Sequence, residues 1–382
     1  MNAYHKQSLR SPYMAQLDSL RSFAVLAVLI HHFCPSDFFL NSYFNVGPQA
    51  VRFFFVLSGF LITGILLRCK SSIEFSDKNF WSIIKRFYIR RVLRLLPAYY
   101  LTIFLSWLAA HETFKQSVLW HLFHLSNFYY SFINEFDTIS SHFWALSVEE
   151  QFYLFWPFLI LLCPLKHLPK VLICGLPVAF IFRFSLILLG WDNSIREYIL
   201  PLGSLDSFIL GGLLAFCREY RSHLPPFMKQ PIVGFVKTFL VLLCGTFIFL
   251  KNDIYTVFWA YDSGVITTPA LTAISPLIQA ILFTIIIHQG SKGIGGILGK
   301  ILSFEPLIYL GRISYGVYLY HLLTAHLIGR LWAHFNWPYD DQVWYFSVIY
   351  FLVCSLSSIG AASLSWRYFE KPIVVLKRHF SY

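Results

Sequence analysis

Three stretches of this chain carry ionisable or hydroxyl side chains inside otherwise apolar runs, where charge is costly and marks function. The first is Leu17-Asp18-Ser19-Leu20-Arg21 leading to Ile30-His31-His32-Phe33. Asp18 and Arg21 lie three apart, so they can pair on one helical face. Arg21 and His32 are eleven apart, which at about 100° per residue is about 20° from three full turns, with a rise of about 16 Å. Both therefore face the same way, and His31 points about 100° aside. An imidazole so placed inside an apolar run is a functional candidate. It can equally be a hydrogen-bonded core histidine, which periodicity alone favours for His32. For His31 the simpler reading is an outer-boundary ring satisfied by water or backbone.

The second stretch is Phe143-Trp144-Ala-Leu-Ser147-Val-Glu149-Glu150-Gln151-Phe-Tyr153. Carboxylates favour a helix N-terminus, so capping by Ser147, Glu149 and Glu150 explains part of it. Gln151 and Tyr153 are not explained that way, and Glu150 and Tyr153 share a face. The third is Gly311-Arg312-Ile-Ser314-Tyr315 to Tyr318 and His321. It is either a polar lining between helices or the wall of a shared cavity. Asp206 is a further acid in an apolar run, with no obvious local partner. The basic run Lys85-Arg86-Phe-Tyr-Ile-Arg90-Arg91-Val-Leu-Arg94 mixes cations with aromatics and Leu. Two readings stand: an anionic-lipid anchor and a site for a phosphorylated ligand. The glycines at 293, 295, 296 and 299 follow an apolar span, not a strand, so a phosphate loop is discounted. No Ser-His-Asp elbow, HExxH, Walker loop or metal cluster is present in the sequence.

The elements that must position these groups are membrane helices. Of 382 residues, 57% are hydrophobic and 13% charged, with 40 Phe, 22 Tyr and 11 Trp. Mean hydropathy is +0.60. Such a composition excludes a disordered chain and disfavours a soluble enzyme. Seven scattered cysteines form no CxxC pair and read as small apolar residues. Apolar runs predict an all-α polytopic protein of about ten spans, near 17–34, 50–68, 95–110, 150–165, 171–190, 199–217, 232–250, 265–287, 306–330 and 343–366. The segment 118–133 is shorter and interrupted, which suits an interfacial or re-entrant piece. The first run carries Asp18 and Arg21 and no cleavage site, so it reads as a retained helix.

With a cytoplasmic N-terminus, 22 Lys and Arg fall on inside segments; five fall outside: Arg52, Lys115, Arg196, Lys251 and Arg330. That asymmetry predicts both termini inside. It also accounts for most of the net charge of +11, so no nucleic-acid partner is expected; the lipid bilayer is the partner. The expected organisation is a cytoplasmic segment at 1–16, a membrane domain at 17–373 and a cytoplasmic tail at 374–382.

Six segments in order resemble acyltransferase family 3, the integral membrane O-acyltransferases that modify bacterial surface glycans and some small molecules. They are Leu17–Arg21 to His32; Phe53 to Ser58-Gly59-Phe60; Arg90-Arg91-Val-Leu-Arg94-Leu-Leu-Pro97; His142-Phe-Trp144 to Glu149-Glu150-Gln151-Phe-Tyr153; Gly311 to His321; and Tyr368-Phe-Glu370-Lys371-Pro372. The resemblance implies transfer of an acyl group, usually acetyl, from cytoplasmic acyl-CoA to a hydroxyl of an extracytoplasmic polysaccharide or glycolipid, at a bacterial inner membrane. It implies no permanently bound cofactor; acetyl-CoA is a substrate. Arg90, Arg91 and Arg94 would form the basic mouth for CoA, and Ser58 and Gly59 would pass the pantetheine arm. Arg21 and His32 would be catalytic, His32 as general base on the acceptor hydroxyl or as a brief carrier of the acyl group, with Glu149, Glu150 and Tyr153 placed outside to orient His32 or to hold a sugar. Tyr153, Gln151, Trp144, His321 and Tyr318 would hold the acceptor. Ser19 and Ser22 stand where the family often has Gly, and Ser204 where a basic residue is frequent. The chain ends soon after its last span, so no extra hydrolase-like domain is expected. A transporter or flippase is the competing class; it leaves the one-sided basic mouth unexplained, and no inverted repeat joins the halves.

Overall fold

A computed structural model describes residues 13–76, 79–109, 112–191, 195–220, 269–337 and 344–380. These residues are all-helical, without a β-strand among them. Among the described residues nine long helices carry the fold: α1 (Ala15–Phe33), α2 (Val46–Ser76), α3 (Phe80–Ala109), α4 (Phe143–Leu162), α5 (Leu168–Leu186), α6 (Leu205–Glu219), α7 (Pro269–Lys292), α8 (Ser314–His334) and α9 (Trp344–Ser365). Each falls on a predicted apolar run; the run at 232–250 lies outside the described residues. Among the described residues, six segments are long and apolar enough to cross a membrane: 46–73, 80–109, 143–162, 168–191, 272–292 and 345–380. The segment at 118–133 forms parts of two short helices, Glu112–Leu122 and Ser126–Ile133. Pro276 is accommodated within α7, as Pro97 and Pro157 are within α3 and α4.

In lipid the apolar driving force between helices vanishes, and small residues and polar bonds hold them together. Both devices operate here. At the α2–α6 crossing, a Cβ on Gly59 would lie 2.2 Å from the Phe208 carbonyl oxygen, and one on Gly211 would lie 2.0 Å from that of Val56. These two backbones touch, and only glycine permits it. Asp206 finds its partner on α5: Arg183 Nη2 donates to Asp206 Oδ2 at 2.8 Å, both side chains fully buried. The same guanidinium donates to the carbonyls of Ala273 and Gly203. A buried ion pair is tolerable when its remaining donors are filled in this way. Lys70 of α2 donates to the carbonyls of Ile160, Leu161 and Cys163, closing the C-terminus of α4 with a cation.

α1 is held along its length by the chain between α7 and α8. The Gln16 side chain clamps the Ile294 backbone: its amide nitrogen donates to the Ile294 carbonyl at 2.9 Å and its oxygen accepts from the Ile294 N–H at 2.6 Å. Ser19 donates to the Leu302 carbonyl at 2.7 Å and Ser22 to that of Leu307. The close approach that glycine would give at these positions comes from the other side, where Gly311 sits against the Asp18 carbonyl.

Candidate active site

Three helices, α1, α4 and α8, meet around two neighbouring features. The first is a partly open cavity with about 670 Å³ of empty space, some of it continuous with solvent. Its polar lining is Arg21 of α1, Ser58 of α2, Arg91 and Arg94 of α3, Glu149 and Tyr153 of α4, and Ser314, Tyr315 and Tyr318 of α8. Val51, Phe54, Phe55, Leu57, Leu95, Ala145 and Leu146 supply the apolar part. Three guanidinium groups therefore converge on one volume whose other walls combine apolar side chains with hydroxyls and the Glu149 carboxylate. Arg21 pairs with Asp18 at 3.4 Å, as the i, i+3 spacing predicts. Asp18 also accepts from Tyr13 Oη at 2.7 Å, and Arg312 holds that phenol from the other side at 3.0 Å. The buried Arg21 Nε has no acceptor among the described residues. Arg91 lies over the Tyr153 ring, 4.9 Å from its centre, a cation–π contact that fixes the guanidinium. Ser58 and Tyr153 both donate their hydroxyl protons to Glu149, so the carboxylate acts as the acceptor that orders them.

The second feature is a cluster of imidazoles. His32 lies 4.9 Å, centre to centre, from His321, and His321 lies 4.9 Å from His142. His321 and His142 are buried, at 0% and 2% exposure, whereas His32 is accessible. His31 turns aside onto Gly47 of α2 and meets His32 edge-on. Arg21 and His32 both face α8, as their eleven-residue spacing predicts. Tyr318 separates the two features. It lines the cavity, its ring is 5.5 Å from that of His321, and its hydroxyl donates to the His142 carbonyl at 3.2 Å.

Several expected site residues are placed elsewhere. Glu149 and Tyr153 do not flank His32. Helix α4 begins at Phe143, not near 150, so Glu149 sits six residues inside it, about 9 Å from its start. That depth puts it among the arginines, and neither Glu149 nor Ser147 is a cap. Ser147 instead donates to the Phe143 carbonyl and accepts from the Ser126 amide. Glu150 is outside the cavity lining. Gln151 is occupied with Asn127 and the His124 carbonyl, which fastens the short helices at 112–133 to α4. Trp144 packs on Tyr198, with ring centres 4.4 Å apart. Arg90 points away from the cavity and caps the C-terminal segment through the carbonyls of Lys377 and Phe380. Gly59 serves the α2–α6 contact, not a passage. His142, quoted only as part of a motif in the sequence, enters the histidine cluster. Its position just before α4, five residues after the acid-rich turn at Asp137, was the signal available.

The model of a family described as an acyltransferase domain matches residues 14–366. The chain belongs to this acyltransferase family. The match covers every residue of the cavity and of the histidine cluster, so both features belong to the acyltransferase domain. Among curated relatives, the "Putative peptidoglycan O-acetyltransferase YrhL" of Bacillus subtilis is 30% identical over 398 residues, covering 97% of this chain and 56% of the relative. Peptidoglycan O-acetyltransferase OatA of Listeria monocytogenes is 31% identical over 330 residues, covering 81% of this chain and 49% of the relative. The chain thus spans about half the length of the curated relatives it matches. No solved structure matches it.

Proposed function

We propose that this acyltransferase is a membrane O-acetyltransferase that moves an acetyl group from cytoplasmic acetyl-CoA to a hydroxyl of a cell-surface glycan. In this reading the chain crosses the bacterial inner membrane ten times with both termini in the cytoplasm. The observation that carries the reading is the convergence of Arg21, Arg91 and Arg94 on a largely apolar cavity whose Tyr318 wall abuts the histidine cluster. CoA is polyanionic at one end and slender and uncharged at the other. Arginines bind its phosphates through forked donors, and the apolar lining between Ser58 and Tyr315 suits the pantetheine arm and thioester. Glu149 keeps Ser58 and Tyr153 ordered, and Tyr153 keeps Arg91 in place.

His32 acts from the accessible side as general base. It takes the proton from the acceptor O–H as that oxygen bonds to the acetyl carbon. The carbon–sulfur bond then breaks, the CoA sulfur leaves with the electron pair, and it receives a proton to give free CoA thiol. The acceptor class rests on the relatives, two of which are named for peptidoglycan. The test is acetyl incorporation into cell-wall glycan, by mass spectrometry, in cells with and without the protein. Loss of glycan acetyl esters on deletion, restored by the wild-type chain but not by a chain lacking Arg91 and Arg94, is the expected result. Unchanged acetylation overturns the acceptor assignment. Transport of the glycan without esterification overturns the reaction.

A further inference from the structure

The histidine cluster contains more than one base. His321 Nδ1 lies 2.7 Å from the Tyr318 carbonyl oxygen, and His142 Nε2 lies 3.1 Å from that of Leu319. A carbonyl oxygen only accepts, so each of these ring nitrogens carries the hydrogen. The other nitrogen of each neutral ring, His321 Nε2 and His142 Nδ1, is therefore a bare lone pair. Both are buried, and neither has a donor among the described residues. His142 is gripped from two directions by α8: its ring donates to Leu319 while its carbonyl accepts from Tyr318. The tautomers are set by backbone that cannot change its chemistry. The three rings run in sequence from accessible His32 to buried His321 to buried His142, each pair 4.9 Å apart.

We propose that His142 is a positioning residue for acyl transfer, its Nδ1 lone pair holding His321 while His321 carries the proton drawn in through His32. This rests on the general-base role given to His32 above. In the step, the acceptor O–H bond breaks and an N–H bond forms on His32. A proton of the resulting imidazolium passes to His321 Nε2, and that new N–H is donated to His142 Nδ1. His321 then holds the positive charge, with its Nδ1–H still on the Tyr318 carbonyl. When the carbon–sulfur bond breaks, the proton returns along the same path to the thiolate, so no proton or electron is gained or lost by the three rings. In the structure His321 Nε2 is hydrogen-bonded to neither neighbouring ring; ring centres 4.9 Å apart require the His321 ring to turn between taking the proton from His32 and offering it to His142, and catalytic hydrogen bonds of this kind tighten when substrate arrives.

Two substitutions separate this role from a structural one. His142→Gln keeps an amide N–H where Nε2–H meets Leu319 but removes the lone pair at the Nδ1 position. His142→Asn puts an amide oxygen at the Nδ1 position and gives up the Leu319 contact. A relay predicts that Asn outperforms Gln: kcat for acetyl transfer falls on the order of tenfold or more in His142→Gln, a share of the 10²–10⁴-fold a general base supplies, and Asn restores part of it. KM for acetyl-CoA stays unchanged in both, since neither touches the arginine cavity. A structural pin predicts the reverse order, with Gln near wild type. That order, equal activities, or failure of both variants to yield monodisperse protein in detergent overturns the inference. His32→Ala is measured alongside: full activity there overturns the general-base reading itself, whereas an inactive His32→Ala with a fully active His142→Gln overturns only the role of His142.

Discussion

Helices α1, α4 and α8 contribute to both features, with α2 and α3 completing the cavity, and the two features are built differently. To the cavity α1 gives Arg21, α4 gives Glu149 and Tyr153, and α8 gives Tyr315 and Tyr318. To the cluster α1 gives His32, α8 gives His321, and the residue just before α4 is His142. In the cavity, cations are held by side chains, Asp18 on Arg21 and the Tyr153 ring under Arg91, and donors remain for an anion. In the cluster, backbone carbonyls fix the N–H groups and leave lone pairs. Anion binding needs permanent charge that does not move. Proton transfer needs neutral groups whose tautomer is settled beforehand. Placing the two on one set of helices with Tyr318 between them keeps the functions adjacent and chemically separate.

Breaking the frame beneath both features should cost the most. Arg183→Ala leaves the Asp206 carboxylate buried without its partner, which destabilises by about 3–5 kcal/mol. Thermal unfolding in detergent should show a large fall in midpoint, and cavity and cluster should fail together. An unaltered midpoint would mean that the pair does not hold α5 to α6.

The next largest effect should touch the cavity alone. Each charge-assisted hydrogen bond contributes about 1.5–3 kcal/mol, so Arg91→Ala combined with Arg94→Ala should weaken acetyl-CoA binding by on the order of 10²-fold or more. Lysine at either position should recover only part, lacking the planar fork. Equilibrium binding of labelled acetyl-CoA to the purified protein measures this. Unchanged binding in the double variant would make these arginines a lipid anchor.

What the sequence disclosed follows a physical line. The Asp18–Arg21 pair and the common face of Arg21 and His32 were legible because helical geometry fixes relations within one helix. Relations between helices depend on how each is rotated against its neighbours, which no periodicity contains. Hence Glu149 could not be assigned to Ser58 across 91 residues, nor His142 to Leu319 across 177. Asp206 lacked a local partner for the same reason, since Arg183 stands 23 residues away on another helix. The small residues Ser58 and Gly59 looked equivalent in sequence. One lines the cavity and the other meets α6, because neighbours on a helix point about 100° apart.

The smallest effect should come from the expected cofactor residue that lies outside the cavity. Arg90 donates to the carbonyls of Lys377 and Phe380 in the C-terminal segment and does not line the cavity. Arg90→Ala should change acetyl-CoA affinity by no more than about 0.5 kcal/mol, the usual scale for substitutions away from a site. A loss matching that of Arg91 would extend the cavity to a third residue of α3.

The most direct test of the division between the two features is His32→Ala with binding and transfer measured on the same vesicle preparation. Acetyl-CoA binding should keep its wild-type affinity while acetyl incorporation into glycan falls by about 10²–10⁴-fold, the contribution of a general base. Incorporation near the wild-type rate would contradict this division, and so would a loss of acetyl-CoA binding equal to the loss of transfer.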